Sequence, residues 1–124
     1  MTSEDLLAHA DAVAQNAYAP YSNYLVGATV LTVDGRMYDG VNVENAAYPL
    51  GICAEKTAIA KAASDGVRPG ELDAIGITAS PCGGCRQWLH EWELKRIYFR
   101  REDGTVAEYG QGDLLPDTWN LPGA

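Results

Sequence analysis

The sequence holds only three cysteines and two histidines in 124 residues. An odd number of cysteines cannot all pair within the chain, so a disulfide framework does not organise it. In a reducing compartment such cysteines bind metal or do chemistry instead. Basic residues are also scarce: nine Lys and Arg face seventeen Asp and Glu, for a formal net charge of −8. A surface of that sign repels phosphate, which argues against nucleic acid and anionic membrane as partners. No run approaches the ~18 consecutive apolar residues of a membrane span. The opening MTSEDLLAHADAV is acidic and lacks the basic start of a secretory signal. The expected location is the cytoplasm.

What is present is the composition of a globular chain, 47% hydrophobic. The length fits one domain over residues 1–124, able to bury roughly two thirds of its unfolded surface. Leu6, Ala10, Val13 and Ala17 recur at helical spacing and predict a helix over 3–18, capped by Ser3 and ended by Pro20. Residues 24–33 read as a strand, Asp34-Gly35 as a hairpin turn and 36–41 as the returning strand. Residues 42–52 are too polar and turn-rich for a core element. An Ala-rich helix is expected from Cys53 to about Ser64, stopping at Asp65-Gly66. Then come a strand at 72–79, a helix at about 83–92, strands at 97–100 and 105–109, and a short helical turn near Asp113–Pro116. This alternation predicts an α/β sandwich with a mixed sheet.

All three cysteines fall at the starts of expected helices: Cys53 on one, Cys82 and Cys85 at CxxC spacing on another. Helix N-termini present unpaired N–H groups and partial positive charge, which favour the thiolate, the metal-binding form. Three thiolates make an open zinc site with a fourth position for water. Zinc lowers the pKa of bound water from ~15.7 toward ~7. Glu55, two residues past Cys53, is placed to accept and redeliver the proton without being a ligand. Three thiolates blunt the metal's acidity, so cations are needed nearby, and one or both of Lys56 and Arg86 are expected to hydrogen-bond the sulfurs. Cys-Ala-Glu followed by Pro-Cys-x-x-Cys matches the signature of zinc nucleobase deaminases, with Cys in place of a first His.

Several further motifs stand in order: Ala19-Pro20-Tyr21-Ser22-Asn23-Tyr24, Val26-Gly27-Ala28, Asn42 through Leu50, Pro81 through Gln87, and Leu114-Leu115-Pro116. With these the chain resembles the small homotetrameric cytidine deaminases over nearly its whole length. The resemblance implies a three-layer α/β/α sandwich around a five-stranded mixed sheet. It implies hydrolysis of cytidine and 2′-deoxycytidine to the uridines with release of ammonia, a step of pyrimidine salvage. Cys53, Cys82 and Cys85 would hold one zinc per chain. Glu55 would take a proton from the activated water and pass it to ring N3, the hydroxide would attack C4, and Glu55 would then protonate the leaving amine. Asn42 and Glu44 would bind the ribose, backbone groups of Ala54 and Ser80 the base edge, and Tyr24 would pack on the base. Trp119, and Tyr48 with it, would cross to a neighbouring subunit's site in the tetramer.

Four features depart from the family pattern. Lys56 replaces an Arg and lacks its bidentate geometry. Tyr24 adds a hydroxyl beside the base, and Trp119 is bulkier than the usual Phe. The connection from the third strand to Ser80 is several residues shorter than usual. That shortening motivates an alternative expectation, a pocket with room for substituents on N4 of cytidine. A non-catalytic reading also stands beside the enzyme: Pro81-Cys82-Gly83-Gly84-Cys85 as a redox pair or part of a structural zinc module. His9 and His90 read as surface residues, and Trp88 and Trp92 as a packing stripe.

Overall fold

The computed structural model describes residues 1–121. Its elements are α1 (Ser3–Ala14), β1 (Gly27–Thr32), β2 (Met37–Val41), a 3-10 turn (Tyr48–Leu50), α2 (Ala54–Ser64), β3 (Leu72–Ile77), α3 (Gly83–Glu91), β4 (Arg96–Arg100) and β5 (Val106–Gly110). The five strands form one sheet in the order β2-β1-β3-β4-β5. Only β3 and β4 run parallel; the remaining neighbours are antiparallel. This is the mixed α/β sheet expected from the alternation of elements.

Side chains alternate across the sheet and build two cores. Ala28, Val30, Ile75, Ile77, Ile97 and Phe99 face α2 and α3, joining Ala54, Ala58, Ile59 and Leu89. Leu31, Ala74 and Tyr98 face the other way, onto Leu6 of α1. The sheet is therefore covered on both sides, and every residue of β1 is buried. Two glycines set how closely the helices lie on it. A Cβ on Gly27 would stand 2.1 Å from the carbonyl oxygen of Ala10 in α1. One on Gly40 would stand 2.3 Å from the amide nitrogen of Ala58 and 2.5 Å from the carbonyl oxygen of Ala54 in α2. Small residues on the helix and no side chain on the strand bring α2 directly onto β2.

Several boundaries differ from the sequence reading. The cap of α1 is Thr2, one residue earlier than Ser3. Its hydroxyl accepts from the Asp5 amide at 3.1 Å, and the Asp5 carboxylate accepts from the Thr2 amide at 3.0 Å. The same helix stops at Ala14 rather than residue 18, because Tyr18 is drawn into a backbone bridge with residues 42–44. β1 begins at Gly27 rather than residue 24. The backbone ahead of it is held by side chains instead: Tyr24 N–H donates to Ser22 Oγ and Val26 N–H to Asn42 Oδ1. Near Asp113 the chain makes hydrogen-bonded turns to Gly110 and Gly112 without forming a helix.

Candidate active site

β3 ends at Ile77 and leads through Thr78–Pro81 into α3, while α2 starts beside the end of β2. This brings two helix N-termini together at one end of the sheet. Cys53 is the N-cap residue of α2, Cys82 that of α3, and Cys85 lies in the first turn of α3. Their three Sγ atoms all lie within 4.8 Å of one another. Cys53 Sγ and Cys82 Sγ are 3.8 Å apart. Zinc–sulfur bonds of about 2.3 Å at the tetrahedral angle put sulfurs about 3.8 Å apart. The donor set therefore fits a tetrahedral zinc ion with three thiolate ligands. Among the described residues no fourth Cys, His, Asp or Glu joins the cluster, which leaves one coordination position outside the protein's supply. A closed structural site would want that fourth ligand.

Without metal, the Cys53 thiol is drawn down to about 6. The largest cause is the hydrogen bond from Cys85, followed by that from Cys82 and the charge of Lys56, all against the opposing effect of burial. Cys85 is pushed up because it keeps the proton it donates to Cys53, and its own burial acts the same way. Cys85 is fully buried and Cys82 exposed, so the cluster has a solvent side and a core side.

Glu55 lies in the first turn of α2 and is only 3% exposed. Burial raises its carboxyl above the usual carboxylate range. An acid that is costly to ionise and sits within a metal-binding cavity suits proton transfer. The cavity holds about 310 Å³, and Glu55, Cys53 and Cys82 line it. Tyr24, Asn42, Glu44, Tyr48, Ala54 and Ser80 also line it. Six of the seven residues expected at the substrate thus converge on one space. Trp119 is the exception: it is 70% exposed and does not line its own chain's cavity.

Asn42 and Glu44 are held before any ligand arrives. Asn42 Nδ2 donates to the Tyr24 carbonyl at 2.8 Å while its Oδ1 accepts from Val26 N–H at 2.9 Å. Glu44 Oε1 accepts from the amides of Tyr21 and Ser22 at 3.0 and 3.1 Å, and Oε2 accepts from the Ser22 hydroxyl. The Ser22 hydroxyl, with help from those amides, holds the Glu44 carboxyl below the usual range. The segment around 21–24 is thereby tied to the end of β2.

The two cations behave differently from one another. Lys56 lies close enough for its charge to lower the Cys53 thiol. Arg86, expected at the sulfurs, is occupied elsewhere: Nε donates to the Pro81 carbonyl at 3.0 Å, with longer bonds to Ser80 Oγ and the Leu114 carbonyl. It braces the loop that carries Cys82, because its side chain starts inside α3 and folds back along that loop. Sequence reasoning missed the apolar lining, Val26, Val43, Ile52, Ile77 and Ala79. Ile77 read simply as core strand, and only the end of β3 distinguishes it. Ser22, within the Ala19–Tyr24 motif, carries no sequence signal of its own for its bonds to Glu44.

Residues 1–101 match the family model described as the cytidine and deoxycytidylate deaminase zinc-binding region. The cytidine deaminase of Sporosarcina psychrophila is 39% identical over 128 aligned residues, spanning 97% of this chain and 93% of that protein. The crystal structure of cytidine deaminase from Burkholderia pseudomallei superposes with a TM-score of 0.90 at 42% identity, covering 96% of this chain and all of that one. That from Mycobacterium tuberculosis superposes at 0.83 with 35% identity, covering 98% and 99%.

Proposed function

This chain belongs to the cytidine and deoxycytidylate deaminase family, and on that premise we propose how its cavity divides the work. It is a zinc-dependent enzyme that hydrolyses cytidine to uridine and ammonia. Cys53, Cys82 and Cys85 hold the zinc in this assignment. Bound there, the metal keeps a position for water and lowers that water's pKa. Every remaining task falls to the chain.

Glu55 takes a proton from the attacking water and delivers it to ring N3 of the cytosine. The oxygen adds at C4. Glu55 then takes the second proton, from the new C4 hydroxyl, and gives it to the departing amine, leaving the uridine carbonyl and ammonia, so one carboxyl serves as base and acid in turn. Asn42 and Glu44 hold the ribose, prepositioned by their bonds to residues 21–26. Tyr24 packs on the base, while backbone groups of Ala54 and Ser80 bind its edge. Lys56 offsets thiolate charge. 2′-Deoxycytidine is the second substrate of this reading.

The observation that carries the scheme is the Glu55 carboxyl, 3% exposed, lining the same cavity as the cysteine cluster. A non-catalytic zinc or redox module has no use for it. The test is loss of cytidine absorbance with uridine formed, alongside Glu55→Gln. Turnover abolished in the variant, at an unchanged one zinc per chain, is expected. Equal turnover by Glu55→Gln refutes the role.

A second reading rests on one specific feature. A hollow of about 580 Å³ adjoins the cavity and shares Tyr24, Ala79 and Ser80 with it. The short Thr78–Pro81 connection contributes only a methyl and a hydroxymethyl group, from Ala79 and Ser80, to that shared wall, which Tyr24 completes. Substituents on N4 of cytidine have room there, and comparing turnover of N4-acyl cytidines with cytidine tests it. A drop as steep as in a homologue with a longer connection rules the reading out.

The whole chain acts as one domain and assembles as a cytoplasmic homotetramer with shared sites. Tyr21, Tyr24, Tyr48, Leu50 and Trp119 support assembly, being large apolar side chains exposed around the cavity mouth or on the tail. No described helix is long and apolar enough to cross a membrane. The partners are a nucleoside and water, with neither nucleic acid nor membrane. Sedimentation at working concentration measures the assembly.

A further inference from the structure

His90 does not behave as the surface residue its sequence context suggests. It lies on α3, five residues beyond Cys85, with its Nδ1 buried and without a hydrogen-bond partner among the described residues. Its Nε2 meets Thr118 Oγ1 at 3.0 Å and Asn120 Oδ1 at 3.1 Å. Among the described residues, the polar contacts of the ring are thus both with the C-terminal tail. Residues two apart grip the same ring nitrogen, so the residue between them is turned outward. That residue is Trp119, 70% exposed. Asp117, just ahead, has φ 51, in the left-handed region, where the chain bends.

We propose that His90 is a positioning residue: it clamps Thr118 and Asn120 so that Trp119 stands out from the surface, set to close the cavity of a second copy. The proposal rests on the shared-site reading of Trp119 above. Three observations favour a second copy as the occupant. Trp119 does not reach its own cavity. The cavity mouth carries the exposed rings of Tyr24 and Tyr48, which a large aromatic can cover. Holding a Trp in water by two side-chain bonds also gains the isolated chain no apolar burial. A tail left free must be ordered on each substrate-binding event, and that cost falls on affinity rather than on chemistry at Glu55.

The experiment measures kcat and KM for cytidine in wild type, Trp119→Ala, His90→Ala, His90→Gln and the double variant His90→Ala/Trp119→Ala. Thr118→Val with Asn120→Ala removes the tail's half of the clamp and leaves α3 untouched. Expected is a rise in KM of about three- to tenfold for His90→Ala and the tail variant, as for loss of one or two hydrogen bonds, and at least as large a rise for Trp119→Ala, which removes the covering ring. kcat stays within about twofold. Glutamine, whose amide can still hydrogen-bond Asn120, restores most of the affinity. The double variant is no worse than Trp119→Ala alone, because both act through one ring. Mixing Trp119→Ala chains with Glu55→Gln chains recovers low-KM activity, since each supplies what the other lacks.

Two outcomes separate the two ideas. An unchanged KM in Trp119→Ala overturns the shared-site reading and the clamp with it. A raised KM in Trp119→Ala, with His90→Ala and the tail variant unchanged, overturns the clamp alone. Full additivity in the double variant also overturns it, placing the effect of His90 elsewhere.

Discussion

Gly40→Ala perturbs the site without touching any residue in the cavity. The new Cβ lands 2.3 Å from the Ala58 amide nitrogen, 2.5 Å from the Ala54 carbonyl oxygen and 2.8 Å from the Ala58 Cα. All three are helix backbone, so no side chain can swing aside. Ordinary contact begins near 3.4 Å, so α2 must retreat from β2 by about 1 Å. Cys53 caps that helix and Glu55 lies in its first turn, whereas Cys82 and Cys85 belong to α3. The retreat therefore pulls one sulfur away from the other two and moves the proton-carrying carboxyl with it. Overpacking of this kind costs about 1–3 kcal/mol, a fall in Tm of roughly 5–15 °C for a chain this size. A 1 Å misplacement of a catalytic group costs about 100-fold in rate. The assay combines Tm, zinc per chain and kcat/KM for cytidine. Gly83→Ala is the control, because a Cβ there meets nothing within 4 Å although it sits between Cys82 and Cys85. A Gly40→Ala enzyme as stable and active as wild type would show that α2 is not seated by this contact, and the reasoning fails.

Three further outcomes are expected. Stripping zinc with a chelator lowers Tm, because binding energy at the cluster is folding energy; in the stripped protein a thiol reagent modifies buried Cys85 last, and modification of Cys85 first contradicts the packing. Arg86→Lys cannot span the Pro81 carbonyl and the Leu114 carbonyl together, so stability drops by about 1–3 kcal/mol with zinc content retained; loss of zinc in proportion would instead assign Arg86 to the sulfurs. The Glu44 carboxyl, held below 4.5 chiefly by the Ser22 hydroxyl, keeps its charge through the ordinary carboxylate range. Its stabilising bonds are present above the unfolded pKa and are lost as pH falls through the lowered folded one. Ser22→Ala moves that titration upward, which carboxyl NMR reads directly, and an identical titration in both proteins refutes the assignment of cause.

The local chemistry of this protein is written in the sequence because short-range rules govern it. Cysteine at helix starts, CxxC spacing and an acid two residues past Cys53 depend on helix geometry alone, and they mark the metal-binding elements before any folding is known. The strand and helix alternation likewise foretells a mixed sheet, since apolar periodicity reports which segments must be covered. The tertiary structure decided what contacts between distant segments control. Tyr18 leaves α1 because residues 42–44 offer it backbone partners. Arg86 serves a loop carbonyl rather than a sulfur because Pro81 folds within its reach. His90 meets Thr118 and Asn120 across about thirty residues, a separation at which no periodicity signals a contact. Sequence alone names the groups that can do the chemistry; packing sets the distances between them, because each helix can approach the sheet only as closely as side chains such as the missing one at Gly40 allow.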